Sequence, residues 1–219
     1  MRPVRLLWVL PALMAMEGPG CVMSREPLTP PGDDAVDAAL LGDWAYQGDP
    51  SGELAVRVAL RDRETMEFWW RLDGARYLIL AGHLSTAGGR SYANLQFVDA
   101  DCIDCSEDAR AAFKREFAAD YATIVPTNPD NACTWVIFSY RHDEDGTLRY
   151  ATFDGNRVLE AIAAGSLAGT DGESAEPGSY DEICITAPAR ALRRFIQDAS
   201  VDLFEPEYDV LVRRTADDR

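Results

Sequence analysis

Residues 54–98 read LAVRVALRDRETMEFWWRLDGARYLILAGHLSTAGGRSYANLQFV. Leu54, Val56, Val58 and Leu60 alternate with Glu53, Arg57 and Arg61, the period-two pattern of a half-buried strand. Met66, Phe68 and Trp70 then alternate with Glu67, Trp69 and Arg71, and only a short polar stretch separates the two runs, which predicts a hairpin. Asp73-Gly74 is a strong hairpin-turn signal, and Gly88-Gly89 marks another turn. Arg76 to His83 is apolar on both faces, and Ser91 to Val98 continues the meander. The pattern is that of consecutive antiparallel strands.

Working outward, Leu40 to Tyr46 supplies a strand before this run. After it, Glu107 to Tyr121 changes period. Phe113, Phe117 and Tyr121 recur every four residues, Ser106 can cap the N-terminus, and Glu107 and Asp108 suit the positive end of the dipole. This predicts a helix lying over a barrel mouth or side. Cys133 to His142 and Leu148 to Phe153 read as a second hairpin around Asp145-Gly146. Asn156 to Ala164 is a short helix, residues 170–179 are a polar loop, and Asp181 to Thr186 is a strand. A helix over Ala187–Ala199, with Pro188 in its first turn, precedes a final strand at Tyr208 to Arg214. About eight or nine antiparallel strands with short turns predict a mainly β protein: a closed antiparallel β-barrel with two or three short helices, one before the last strand. Closure would remove exposed sheet edges.

The chain has 219 residues, 47% of them hydrophobic and 26% charged, and a net charge of −16. That composition is globular. The negative charge argues against nucleic acid as a partner, because a phosphate backbone would be repelled. It also argues against a basic patch on an anionic membrane.

The N-terminus reads as a targeting segment. Arg2 and Arg5 precede an apolar run, Leu6 to Met16, which is too short to span a bilayer but suits a signal-peptide core. Residues 1–20 are therefore expected to be a signal peptide. Residues 21–38, rich in proline, are expected to be a flexible tether, and 39–215 the barrel domain.

Five cysteines are present: Cys21, Cys102, Cys105, Cys133 and Cys184. Setting Cys21 aside, four cysteines in an oxidising compartment predict two disulfides with three possible connectivities. Bridges from the Cys102/Cys105 loop to the Cys133 and Cys184 strands would pin that loop to the body. A redox Cys-x-x-Cys is disfavoured by Asp101, Asp104, Glu107 and Asp108 around the pair, although a helix starting near Ser106 opposes that effect. A four-thiolate zinc site lacks a second close pair.

Cys21, directly after a signal core, resembles the lipidated first residue of bacterial lipoproteins, although Gly18 stands where those proteins usually carry leucine. The resemblance implies an outer-membrane or cell-surface location through a lipid anchor, with a periplasmic or secreted protein as the alternative. Gly42-Asp43-Trp44 at the first strand resembles the Gly-x-Trp of the lipocalin and calycin barrels. That family also places a helix before a last strand bearing an arginine over the tryptophan. By resemblance, Gly42, Trp44 and either Arg213 or Arg214 would close one barrel end, the arginine stacking on the indole. The segment ICITAPARALRRFIQDASVDLF, residues 183–204, also resembles secreted bacterial lipoproteins of no assigned activity.

No nucleophile elbow, phosphate-cradling loop or zinc-protease histidine pair occurs. His83 and His142 end predicted strands and read as surface or mouth residues. No catalytic residue, metal site or cofactor is expected. Met66, Phe68, Trp70, Tyr77, Tyr92, Trp135 and Tyr150 are candidates to line the interior. A barrel of this strand number either fills with side chains or holds one small ligand. The leading expectation is a monomeric, non-enzymatic envelope protein binding a small apolar or amphipathic ligand. The alternative is a filled barrel that meets other proteins.

Overall fold

A computed structural model describes residues 22–32, 36–49, 55–124, 133–170, 183–198, 202–205 and 209–214. Cys21, and with it the lipidation site, lies outside these residues, as do the signal segment and Tyr208. The strands are β1 (Val22–Ser24), β2 (Gly42–Tyr46), β3 (Val56–Leu60), β4 (Met66–Asp73), β5 (Arg76–Ala87), β6 (Arg90–Cys102), β7 (Val136–His142), β8 (Leu148–Ala151), β9 (Gly169–Thr170), β10 (Ile183–Ile185) and β11 (Asp209–Arg213). The helices are α1 (Glu107–Ile124), α2 (Gly155–Ala163) and α3 (Ala189–Gln197), with a short 3-10 turn at Ala38–Leu40.

Eight strands close into an antiparallel barrel in the order β11-β2-β3-β4-β5-β6-β7-β8. The period-two runs produce it directly. Val56 pairs with Trp70, Val58 with Phe68 and Leu60 with Met66, so the apolar sets of β3 and β4 share a face. Trp70, Phe68 and Met66 in turn pair with Leu78, Leu80 and Gly82 on β5. Closure comes from β11, which pairs with β2 on one side and β8 on the other. A register shift between Ile79 and Leu80 leaves Val98 as the extra residue on β6, and it points outward, 45% exposed. Gly82 is required by the close approach of β5 and β6: a Cβ there would lie 1.8 Å from the Asn94 carbonyl oxygen.

The barrel has a core on each side of its wall. The inner one gathers Val56, Val58, Phe68, Trp70, Leu80, Leu95, Phe138 and Tyr150. The outer one contains residues of opposite parity on the same strands, Tyr92, Ile137 and Ala151. They are packed beneath α2, α3 and a second sheet of order β1-β10-β9. β1 runs parallel to β10, pairing Val22 with Ile183.

Two expectations change here. The strand at 181–186 enters this side sheet and not the barrel, because Ile183 and Ile185 are both buried in the outer core. Within the expected tether, residues 22–32 are also no free linker. Val22, Met23 and Leu28 are buried, and the Leu28 N–H donates to the Asn94 side-chain oxygen at 2.7 Å. Proline and glycine set that segment's backbone without preventing it from packing.

Candidate functional site

The barrel interior was the expected site. Trp70 stands at its centre, stacked on Phe138 with centroids 5.7 Å apart and edge-on to Tyr150 at 5.2 Å. Phe138 meets Tyr150 edge-on at 5.8 Å. The Tyr150 hydroxyl lies 3.1 Å from that of Tyr46. Burial, with Tyr46 and Asp209 adding to it, pushes the Tyr150 hydroxyl well above its ordinary pKa, so it stays a neutral hydrogen-bonding group. The void left among these side chains measures about 30 Å³. That is room for about two or three waters, whereas ligand pockets begin near 300 Å³.

Of the seven candidate lining residues, Met66, Phe68, Trp70 and Tyr150 belong to the inner core. Tyr77, Tyr92 and Trp135 do not. Tyr77 packs edge-on against Trp69 on the outer wall. Tyr92 meets Phe204 in the outer core. Trp135 lies edge-on to His83, its centroid 5.5 Å away. β5 and β6 are covered on both sides, so apolar residues occur at both parities.

One end of the barrel is closed by the 3-10 turn. Leu40 inserts into the interior, 2% exposed. The Trp44 indole N–H donates to the Leu40 carbonyl at 2.8 Å. The Arg213 guanidinium lies 4.6 Å from the Trp44 ring and donates to the carbonyls of Leu41 at 2.6 Å and Ala39 at 2.5 Å. Gly42 sits at φ +134°, and a Cβ there would come within 2.7 Å of Arg213 Nη1. The glycine therefore clears the path of the arginine. Arg213, not Arg214, fills the closing role; Arg214 donates its backbone N–H to Asp43. His142 Nε2 faces Asp37 Oδ2 at 3.4 Å, and the Tyr140 hydroxyl donates to the same carboxylate at 3.4 Å.

At the other end α1 packs on β6 and sends Phe113, 4% exposed, into the inner core. Ion pairs Arg110–Asp101 and Lys114–Asp99 fasten it. The Arg110 hydrogen bonds hold the Asp101 carboxyl below its ordinary value. The folded pKa is lowered, so this stabilisation is complete above the unfolded value near 4 and is lost as pH falls through the folded value. The protection of α1 amides relative to their intrinsic exchange rates is expected to fall below about pH 4, and Asp101→Asn should show that lower protection already at pH 7. Unchanged α1 protection in the variant would contradict the fastening role.

Both disulfides form, as Cys102–Cys105 and Cys133–Cys184. The bridges run within the loop and between the two strand ends. Neither runs from loop to strand as the pinning arrangement had it. The fold sets Cys102 opposite Arg76 at the barrel rim, while Cys133 lies against β10.

Sequence reasoning missed a buried polar stripe on the outer wall. His83, Ser85 and Asn94 are each at most 3% exposed. Asn94 donates to Ser85 Oγ at 2.8 Å, and the His83 Nε2–H donates to the Thr29 carbonyl at 2.7 Å. The 22–32 segment covers these groups, so His83 is an interior residue. The readable signal was polar residues at the outward parity of strands otherwise apolar on both faces.

Among the described residues, no group of three or more His, Cys, Asp or Glu side chains could hold a metal ion, and no helix is long and apolar enough to cross a membrane. Comparison with family models, curated proteins and solved structures finds no match to this chain.

Proposed function

We propose that the protein is an exported, lipid-anchored scaffold of the bacterial envelope whose lipocalin-like barrel is filled by its own side chains and which meets other proteins through its outer surface, without catalysis. The observation that supports this reading over an interior ligand is the 30 Å³ void around Trp70, Phe138 and Tyr150. A ligand of ordinary size would have to displace several of those rings. The Gly42–Trp44–Arg213 closure supports the lipocalin-like assignment, and the two disulfides suit an oxidising compartment. The segment Arg2 to Cys21 supports export and anchoring. Val22 enters β1 at once, so a lipid on Cys21 would hold the body against the headgroups with no spacer.

Native mass spectrometry of protein purified from its own cells tests the filled interior. The expected mass is that of the processed chain plus its anchor. A stoichiometric small molecule that leaves only on unfolding would overturn the reading in favour of a ligand carrier. Labelling with a clickable fatty acid tests the anchor separately. Wild type should label and Cys21→Ser should not, and equal labelling would remove the anchor.

A further inference from the structure

We propose that the Cys102–Cys105 disulfide is an exchange site that accepts an electron pair from the paired thiols of another exported protein. The two disulfides of this chain close loops of very different length. Cys133–Cys184 joins residues 51 apart in sequence, with Cys133 buried against the Ile185 carbonyl and Cys184 partly exposed on β10. Cys102–Cys105 closes over only two intervening residues. Cys102 is buried in the barrel rim, while Cys105 is partly exposed.

The pair lines a surface cleft of about 480 Å³ between the 102–105 turn and the outer wall of β3 and β4. Trp69 and Ile103 give that cleft an apolar lining, and Arg57 and Glu67 stand beside them, Glu67 accepting from the Trp69 indole N–H at 3.1 Å. An apolar segment flanking a partner's cysteine fits this surface. Cys105 immediately precedes Ser106, which caps α1 through the Ala109 N–H, so a thiolate there would face the positive end of an 18-residue helix.

The acidic neighbours that argue against a reactive pair are partly neutralised by the fold. Asp101 is held by Arg110 and Asp99 by Lys114, while Asp104, Glu107 and Asp108 are exposed to solvent. Asp104 also sits at φ +63°, in the left-handed region that a non-glycine residue adopts at a cost. Opening the small ring would let that residue relax.

The step balances as follows in atoms and electrons. A partner thiolate attacks the accessible Cys105 Sγ, forming a mixed disulfide and expelling Cys102 as thiolate. The partner's second thiolate attacks its own sulfur in that bond and expels Cys105 as thiolate. The two protons lost from the partner's thiols end, by way of solvent, on Cys102 and Cys105. The partner leaves oxidised to a disulfide, and this chain is left as a dithiol.

The full chain should be equilibrated in a series of glutathione redox buffers, quenched, alkylated and mapped by mass spectrometry. Cys102–Cys105 is expected to be half-reduced at a redox ratio at least about tenfold more oxidising than Cys133–Cys184, with near-UV circular dichroism unchanged. Cys102→Ser should carry glutathione on Cys105. Trp69→Ala should slow exchange with a reduced, aromatic-flanked dithiol peptide by about tenfold while leaving exchange with dithiothreitol unchanged. Reduction of both pairs together, or opening of Cys102–Cys105 only after the near-UV signal is lost, would overturn the proposal. So would a Trp69→Ala rate equal to wild type with the peptide.

Discussion

Trp70→Ala is expected to destabilise the protein by about 3–5 kcal/mol and to turn the filled barrel into a hollow one. Trp70 is 6% exposed, and its removal strips one face from Phe138 and an edge contact from Tyr150. The flanking residues sit on hydrogen-bonded strands that cannot collapse inward, so the space should persist. A cavity lined only by apolar groups stays dry and takes up small aromatic molecules. Indole should therefore raise the melting temperature of Trp70→Ala and leave that of wild type unchanged, as measured by calorimetry. A loss below about 1 kcal/mol would mean that the ring is not packed as the filled core requires.

Replacing Cys133 and Cys184 together by alanine is expected to cost about 4 kcal/mol, and replacing Cys102 and Cys105 only about 2 kcal/mol. The difference follows from loop length in the unfolded chain. The first bridge closes a separation of 51 residues and the second a separation of 3. The longer bridge also stitches separate parts of the fold together. It ties the approach to β7 to the side sheet, where Ser24 meets Trp135 and β1 pairs with β10. Guanidinium melts of the two double variants measure both costs, and the reverse order would contradict this assignment. Against a typical total of 5–15 kcal/mol, loss of the longer bridge removes a large part of the stability.

The barrel was legible because β3 and β4 each have one wet face. Arg57 and Glu67 on the outside keep the alternation readable, so the interior positions of Phe68 and Trp70 could be assigned from period two alone. The same logic failed on β5 and β6. Their outer wall is covered by α3 and the N-terminal segment, so Tyr92 on β6, like Trp135 just before β7, carries the signature of a core residue while belonging outside. Tyr77 is apolar on the outer wall because it packs on Trp69. Gly42 and Trp44 were recognisable from three residues, but the choice of Arg213 over Arg214 depended on strand parity at β11, which only the pairing with β2 fixes. The 22–32 segment was misread because its composition suits a linker. Its attachment comes from a few point contacts, such as Leu28 with Asn94, that no local pattern encodes. Disulfide connectivity depended likewise on which strand ends the fold brings together.

The electron density inside the barrel, in crystals of protein purified from its own cells, bears hardest on whether this chain is a carrier or a filled scaffold. The expected map has Trp70, Phe138 and Tyr150 in mutual contact, with room for no more than about two or three waters beside them. Continuous unassigned density separating those three rings would contradict it.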